Sequence, residues 1–255
     1  MKIQLLSAVL LTGLCVSAYA GVDTKEMLKT SVTPRSDAGF YVAGYGGAQF
    51  DTDYGNNRQS FSGGVLGAGS SDAKVHSGWG AVGGLKAGYN FNSFPVWDRL
   101  SLRLQPAVEA EALYIGDHSR VSDFGAAGSS EHFRTNSGDF FINGILRFKN
   151  SSIVTPYVGV GVGLQYLTTH GNINIPVAGV SGNNVNTDDI DFAAQALFGI
   201  DVAVANHISV FTEYKFIDAL GTDASTDASP GGGNYHFKPD QIQQNLITAG
   251  VKYSF

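Results

Sequence analysis

Eight stretches of this chain alternate apolar with polar or very small residues at a period of two, and each runs for about 9 to 16 residues, well beyond the 5 or 6 of an ordinary soluble strand. The last stretch carries the pattern most clearly. Ile247, Ala249, Val251, Tyr253 and Phe255 share one face, and Thr248, Gly250, Lys252 and Ser254 share the other. Ile208 to Phe216 sets Ile208, Val210, Tyr214 and Phe216 against Ser209, Glu213 and Lys215, with Phe211 as the misfit. The remaining stretches are Phe192 to Val202, Pro156 to Tyr166, Asp139 to Phe148, Leu100 to Tyr114, Trp79 to Phe91 and Phe40 to Phe50. In the first of them Gly44, Gly46 and Gly47 blur the alternation, and its faces are not assignable from sequence. Strands of this length are what a tilted bilayer-spanning strand requires.

The opening residues set the compartment. Lys2, an apolar run from Leu5 to Val16 and Ala18-Tyr19-Ala20 read as a secretory signal peptide over 1–20, too short to cross a bilayer as a helix. The lone cysteine, Cys15, lies inside it behind the bulky Leu14, which argues against a lipid anchor. Past residue 20 there is no cysteine, so disulfides, a thiol nucleophile and a cysteine metal site are excluded. Loss of the leader removes one base and leaves 15 bases against 22 acids, a formal charge of −7 in place of −6, which disfavours nucleic acid as a partner. No later apolar run is long enough for a transmembrane helix. Residues 21–38 read as a periplasmic lead-in and 39–255 as one all-β domain.

Alternation alone does not say which face is wet, because a soluble lipocalin-type barrel produces the same string with its apolar face inside. Two features decide it. The polar face is crowded with Gly84, Gly88, Ala107, Gly159, Gly161, Gly163, Gly199 and Gly250, which weaken a solvent-facing strand but suit the narrow bore of an eight-stranded barrel. Aromatic residues gather at the two ends of the apolar faces, Phe91, Phe148 and Phe255 at one and Trp79, Tyr114, Phe140, Tyr166 and Phe216 at the other, as two interfacial girdles do. The connections agree. Residues 51–78, 115–138, 167–190 and 217–242 are long and rich in Gly, Ser, Asn and Asp, whereas 92–99, 149–155 and 203–207 are short. The expected fold is an all-β, eight-stranded antiparallel up-and-down transmembrane β-barrel in the outer membrane, with long loops outside, short periplasmic turns, and outer-membrane lipid and lipopolysaccharide around it. Pro106 lacks the N–H of a ladder residue and is expected near the periplasmic end at a bulge.

Three pieces of the chain resemble the small outer-membrane barrel family of the OmpA and opacity-protein type. Asn143-Gly144 leads through a short turn to Thr155-Pro156-Tyr157-Val158-Gly159-Val160-Gly161-Val162-Gly163, similar to that family's fifth strand. Val210-Phe211-Thr212-Glu213-Tyr214-Lys215-Phe216 is similar to its seventh, and Gly250-Val251-Lys252-Tyr253-Ser254-Phe255 to its closing strand. The resemblance implies that Val251, Tyr253 and Phe255 form the address read by the barrel-assembly machinery. It implies a fold more than an activity. Full-length OmpA adds a peptidoglycan-binding domain after its barrel; this chain stops at Phe255, so cell-wall tethering is not expected.

The inward charged positions would be Lys86, Arg103, Glu109, Glu111, Arg147, Asp201, Glu213, Lys215 and Lys252, five bases and four acids. Such near-neutrality suits a salt-bridged plug better than an ion path. Glu109 and Glu111 share a face, but general acid–base work needs a cleft and mid-barrel offers none. No serine stands beside a histidine as a lipid-modifying barrel enzyme would require: His76, His118, His132, His170 and His236 fall in or beside the long loops and His207 in a short turn. The loop histidines, with Asp188, Asp189 and Asp191, match no standard metal spacing, and no cofactor is expected. Asn150-Ser151-Ser152 fits a glycosylation acceptor, a pattern that arises often by chance. The chain is thus expected to be a non-enzymatic surface-interaction, adhesin-like barrel whose loops 51–78, 115–138, 167–190 and 217–242 meet a surface or host ligand. A narrow porin-like channel is the alternative, and a lipid-modifying enzyme or a secreted lipocalin-like binder stands further off.

Overall fold

A computed structural model describes residues 38–53, 57–62, 69–73, 75–76, 79–97, 102–116, 119–122, 130–175, 180–220, 226–228, 234–238 and 242–255. The signal-peptide and lead-in segments, and the family-like address's assembly role, lie outside what these residues address. The strands in chain order are β1 (Gly39–Asp53), β2 (Asn57–Ser62), β3 (Gly69–Ala73), β4 (Val75–His76), β5 (Gly80–Asn90), β6 (Phe94–Trp97), β7 (Leu102–Gly116) and β8 (Ser119–Ser122). They continue with β9 (Ser130–Lys149), β10 (Val154–Ile175), β11 (Val180–Ala205), β12 (Ile208–Leu220), β13 (Thr226–Ala228), β14 (Asn234–Lys238) and β15 (Ile242–Ser254). Eight of them, β1, β5, β7, β9, β10, β11, β12 and β15, pair antiparallel with their neighbours in sequence order. The ring closes where β15 pairs with β1, from Tyr41↔Ser254 to Phe50↔Asn245. Closure leaves no free edge, the condition for strands to cross a bilayer.

Burial alternates along each barrel strand and resolves both faces. On β1, Tyr41, Ala43, Tyr45 and Gln49 are buried inward while Phe40 and Val42 face out, which assigns the strand that glycine had left ambiguous. The outward band is apolar throughout, with Leu85, Val108, Ile142, Val160, Val162, Phe198 and Val251 all exposed. Aromatic residues border it: Phe40, Phe91, Tyr253 and Phe255 at the short-turn end, and Trp79, Tyr114, Phe140 and Tyr166 at the other. Trp79 is 78% exposed, a position that water alone would not favour and a lipid interface does.

The interior is more apolar than the alternation suggested. Phe141, Ile145, Leu197, Ile217 and Leu246 are buried inside, and so is Phe211, the misfit of its strand. Phe211 packs edge-on against Tyr45 with ring centroids 6.3 Å apart. The inward glycines make room for these groups. A Cβ on Gly84 would meet the Tyr45 phenol, one on Gly88 the Tyr41 ring, one on Gly199 the Tyr157 ring, and one on Gly159 would stand 2.5 Å from Ile145 Cδ1. Bulky side chain on one strand and bare backbone on the next is how the bore is filled without strain.

The short connections are tight, and the long ones are less loop-like than expected. Asn206 and His207 alone join β11 to β12, with His207 at φ 122°, and the His207 carbonyl accepts from Ser254 N at 2.8 Å. Asn150 Oδ1 accepts from Ser152 N at 2.7 Å and Ser152 Oγ at 2.6 Å, so this side chain closes the β9–β10 turn. Pro106 sits near the short-turn end, as expected. Its carbonyl accepts from Phe91 N at 2.9 Å, and the Phe91 carbonyl, deprived of the proline N–H, takes Gln105 Nε2 at 3.1 Å instead. At the other end β9, β10 and β11 run on past the girdle, and β10 and β11 stay paired from Val154↔Val202 out to Ile175↔Val180, so most of 167–190 is a ladder. Residues of 51–78 and 217–242 form a separate four-stranded sheet ordered β13-β14-β2-β3. Backbone donors and acceptors persist beyond the membrane, and pairing satisfies them where the chain is long enough to return alongside itself.

Gly84→Leu and Gly83→Leu are adjacent substitutions on opposite faces. The first drives a side chain into Tyr45 and is expected to abolish or strongly destabilise the folded barrel; the second faces lipid, where a Cβ would come no nearer than 3.9 Å to the Tyr45 carbonyl oxygen, and is expected to fold normally. Heat-modifiable mobility on a gel and urea unfolding in lipid vesicles distinguish them.

Candidate functional site

The inward charged side chains form two layers across the bore. In the middle layer Lys86 on β5 reaches Glu213 on β12, with Nζ 2.6 and 2.7 Å from its two carboxylate oxygens, and stands 3.2 Å from Glu109 Oε1. Lys215 pairs with Glu111 and lies 3.4 Å from Glu213 Oε2. All five side chains are almost wholly buried. Isolated charges there would cost several kcal/mol each; crossed pairing places every acid against a base.

Neutral donors complete the carboxylates. The Tyr41 hydroxyl donates to Glu109 Oε2 at 2.8 Å, the Tyr45 hydroxyl to Glu111 Oε1 at 2.5 Å, and the Tyr157 hydroxyl to Glu213 Oε1 at 2.8 Å. Asn143 Nδ2 donates to Glu111 Oε2 at 3.1 Å, and Gln195 Nε2 donates to the same oxygen at 2.8 Å. Each tyrosine therefore has two roles, since its ring covers a glycine on the next strand and its hydroxyl satisfies a carboxylate. None of these partners was singled out in the sequence. The signal available was an aromatic residue in phase with the glycine-and-charge stripe.

The second layer lies nearer the short turns. Asp201 on β11 receives both Arg147 from β9 and Lys252 from β15, and Arg147 Nε donates to Asn90 Oδ1 at 3.1 Å. The Arg147 guanidinium is sandwiched by rings, 5.2 Å from the Tyr41 centroid and 4.9 Å from that of Tyr157, so aromatic faces supply part of what one carboxylate cannot. The two layers thus gather Lys86, Glu109, Glu111, Arg147, Asp201, Glu213, Lys215 and Lys252.

Arg103 stands apart from them and corrects the inward assignment made for it. It is exposed near the start of β7, where Nε donates to Ser93 Oγ at 2.7 Å and an Nη donates to the Ser93 carbonyl at 3.0 Å. At this height β9 still pairs with β7 on one side, but on the other the short β6 has taken the place of β5, and the side chain turns to the connection between β5 and β6. Val251, Tyr253 and Phe255 line the outward face of the closing strand. Tyr253 stacks on His207 at 5.6 Å and packs edge-on against Phe255 at 5.1 Å.

In the two layers the charges are paired, hydroxyls and amides donate to the glutamates, and large rings stand beside them in the bore. Among the described residues no three His, Cys, Asp or Glu side chains converge to hold a metal ion. Concave regions do occur on the outside, one bounded by Phe40, Val42, Tyr89, Val108, Ile142 and Phe255, where acyl chains of the bilayer would lie.

A family of known proteins has the same architecture. The Outer membrane protein beta-barrel domain family matches residues 6–255. Outer membrane protein PagN of Salmonella typhimurium is 26% identical over 230 residues, covering 88% of this chain and 93% of that protein. Two solved structures are similar. The Pseudomonas aeruginosa outer membrane protein OprG covers 86% of this chain and 97% of its own at 14% identity and a TM-score of 0.48. Neisserial surface protein A covers 86% and 99% at 17% identity and a TM-score of 0.41.

Removing one base should expose the energetics of the charged layers. Lys215→Met leaves Glu111 and part of Glu213 uncompensated and is expected to lower stability by about 3–5 kcal/mol, whereas Arg103→Met at the exposed rim is expected to cost about 1 kcal/mol or less. Urea unfolding in vesicles measures both; equal losses would contradict the assignment of Arg103 to the rim.

Proposed function

Because this chain belongs to the Outer membrane protein beta-barrel domain family and is an outer-membrane protein, we propose that it is a non-conducting barrel that presents a surface-interaction platform, adhesin-like, to ligands on other cells or in the surroundings. The observation that carries this reading is the pairing of β2 with β14, from Arg58↔Lys238 to Ser62↔Asn234. That pairing ties the first long connection to the last and makes one four-stranded sheet of what would otherwise be two separate loops. Beside it, β10 continues for nine residues past Tyr166 to Ile175, about 20 Å above the girdle for a tilted strand. Long, internally paired segments on a rigid base are pre-organised for binding, and ordering costs little when a partner arrives.

The paired interior supports the non-conducting part. A porin-like role would need a continuous wet path, and against it stand the two charge layers, paired across the bore, with Phe141, Tyr41 and Tyr45 buried among them. Lipid modification would need a nucleophile and base on the barrel wall, for which no geometry is present among the described residues.

Two measurements test the proposal. A non-adherent Gram-negative strain displaying the chain is expected to bind cultured animal cells or a second bacterial population at least severalfold above the empty strain. Replacing 57–62 and 234–238 by Gly-Ser segments should remove that gain while leaving heat-modifiable mobility intact. In planar bilayers the purified barrel is expected to be silent; steady ohmic channels whose selectivity changes on Arg147→Glu would establish the pore instead.

A further inference from the structure

The lipid-facing side of the barrel continues above the outer girdle on β9, β10 and β11. Register runs unbroken from Tyr157↔Arg147 to Asn174↔Ser130 between β10 and β9, and from Val154↔Val202 to Ile173↔Asn183 between β10 and β11, so this face can be followed row by row. Its last rows at the girdle are Phe140–Leu164–Phe192 and Gly138–Tyr166–Ile190, without a polar side chain beyond the tyrosine hydroxyl. One step higher the same face changes character. Asn136–Thr168–Asp188 comes first and Arg134–His170–Asn186 second. His132–Asn172–Asn184 is the third row. None of these nine positions is apolar, four are asparagine, and the single acid and single base cancel. Exposure follows the same alternation, since Asp188 and His170 are exposed while Leu167 and Ser137 on the opposite face are buried.

Solvation alone does not account for this composition. Asparagine is depleted in strands, where threonine and valine serve a pleated surface better. The opposite face of the same three strands has that ordinary composition: Thr135–Thr169–Thr187 and Phe133–Gly171–Val185 carry no amide. The asparagines therefore stand on one face only, the one continuous with the membrane surface. Rows two residues apart rise about 5 Å along the membrane normal for a strand tilted about 40°, so the three rows occupy roughly the first 15 Å above the Tyr166 row. Around an outer-membrane barrel that level is filled by the sugars of the outer leaflet's lipopolysaccharide. A primary amide offers two donors and an acceptor, which matches vicinal hydroxyls that both donate and accept. Phosphates and carboxylates would call for arginine and lysine, and this face has one base balanced by one acid.

We infer that the outward face of the β9–β10–β11 extension, with Asn136, Asn172, Asn184 and Asn186 at its register positions, is a docking surface for the core sugars of the lipopolysaccharide that surrounds the barrel. The occupant is the glycan of the protein's own outer leaflet, held side-on by hydroxyl–amide hydrogen bonds along a flat ladder. Such contact steadies the extension from its outer side and leaves the four-stranded sheet β13-β14-β2-β3 to other partners.

Hydrogen exchange tests this in phosphatidylethanolamine vesicles of three kinds, containing lipopolysaccharide with its complete core oligosaccharide, lipid A alone, or neither. With the complete core, backbone amides of 132–136, 168–172 and 184–188 are expected to exchange at least severalfold more slowly than with lipid A or with phospholipid alone. Asn172→Thr, Asn184→Thr and Asn186→Thr combined keep strand-forming residues on the ladder and should erase that difference while leaving exchange in the phospholipid vesicles as in the parent. Thr169→Val, on the opposite face, should retain the full slowing. Equal protection by lipid A and by the complete core would assign the contact to phosphate or acyl chain and overturn the sugar surface. So would protection that appears on 57–62 and 234–238 instead of the extension, or a triple variant protected as well as the parent. Should the triple variant fail to fold, the three vesicle compositions with the parent chain decide the matter by themselves.

Discussion

A backbone inside a bilayer has no water to bond, and every feature of this protein follows from how the chain meets that constraint. Eight strands satisfy it by closing β15 onto β1. Once closed, the ring has a fixed and narrow bore, and whatever projects inward must fit. The outward face needs only to be greasy, which Val, Leu, Ile and Phe supply in any order. Steric demand on particular residues is therefore concentrated on the inward face, and there it works in pairs: Tyr45 over Gly84, Tyr41 over Gly88, Tyr157 over Gly199.

The same narrowness makes the charged layers workable. A lysine–glutamate pair in a dry interior gains stability only with good geometry and full hydrogen bonding. The rings that fill the bore bring hydroxyls to the carboxylates, so packing and charge satisfaction are accomplished by the same side chains. The result holds strands together across the barrel as well as around it, since Lys86 and Glu213 sit on strands that are not neighbours in the ring. A wall braced in this way is a rigid base for the paired extensions above it, and rigidity of the base is what allows long connections to be ordered.

Much of this was legible in the sequence, for reasons tied to particular elements. Strand number, span and direction follow from alternation and from the long and short connections, because both are local and a bilayer leaves few alternatives. The end girdles and the lipid-facing stripe follow in the same way. Phe211 was unreadable because an aromatic residue on the polar face looks like an error until Gly250 and Gly84 beside it are seen as the space it and Tyr45 occupy. Arg103 was misplaced because alternation continues past the level at which the ring is complete. The extended hairpin of β10 and β11 was hidden since Asn, Thr and Gly compose loops and solvent-exposed ladders alike.

What the sequence determined alone is the kind of object: exported, all-β, eight membrane-length strands, with charges of both signs on the inward stripe. These are properties of residues within a few positions of each other. Which charge meets which was decided only by the tertiary structure. Lys86 and Glu213 are 127 residues apart, and Tyr45 and Lys215 are 170. Their meeting depends on the stagger of the strands around the ring and on side-chain reach across it, distances that no period along the chain encodes. For the same reason Asn136, Asn172, Asn184 and Asn186 read as loop residues until the register set them on one face.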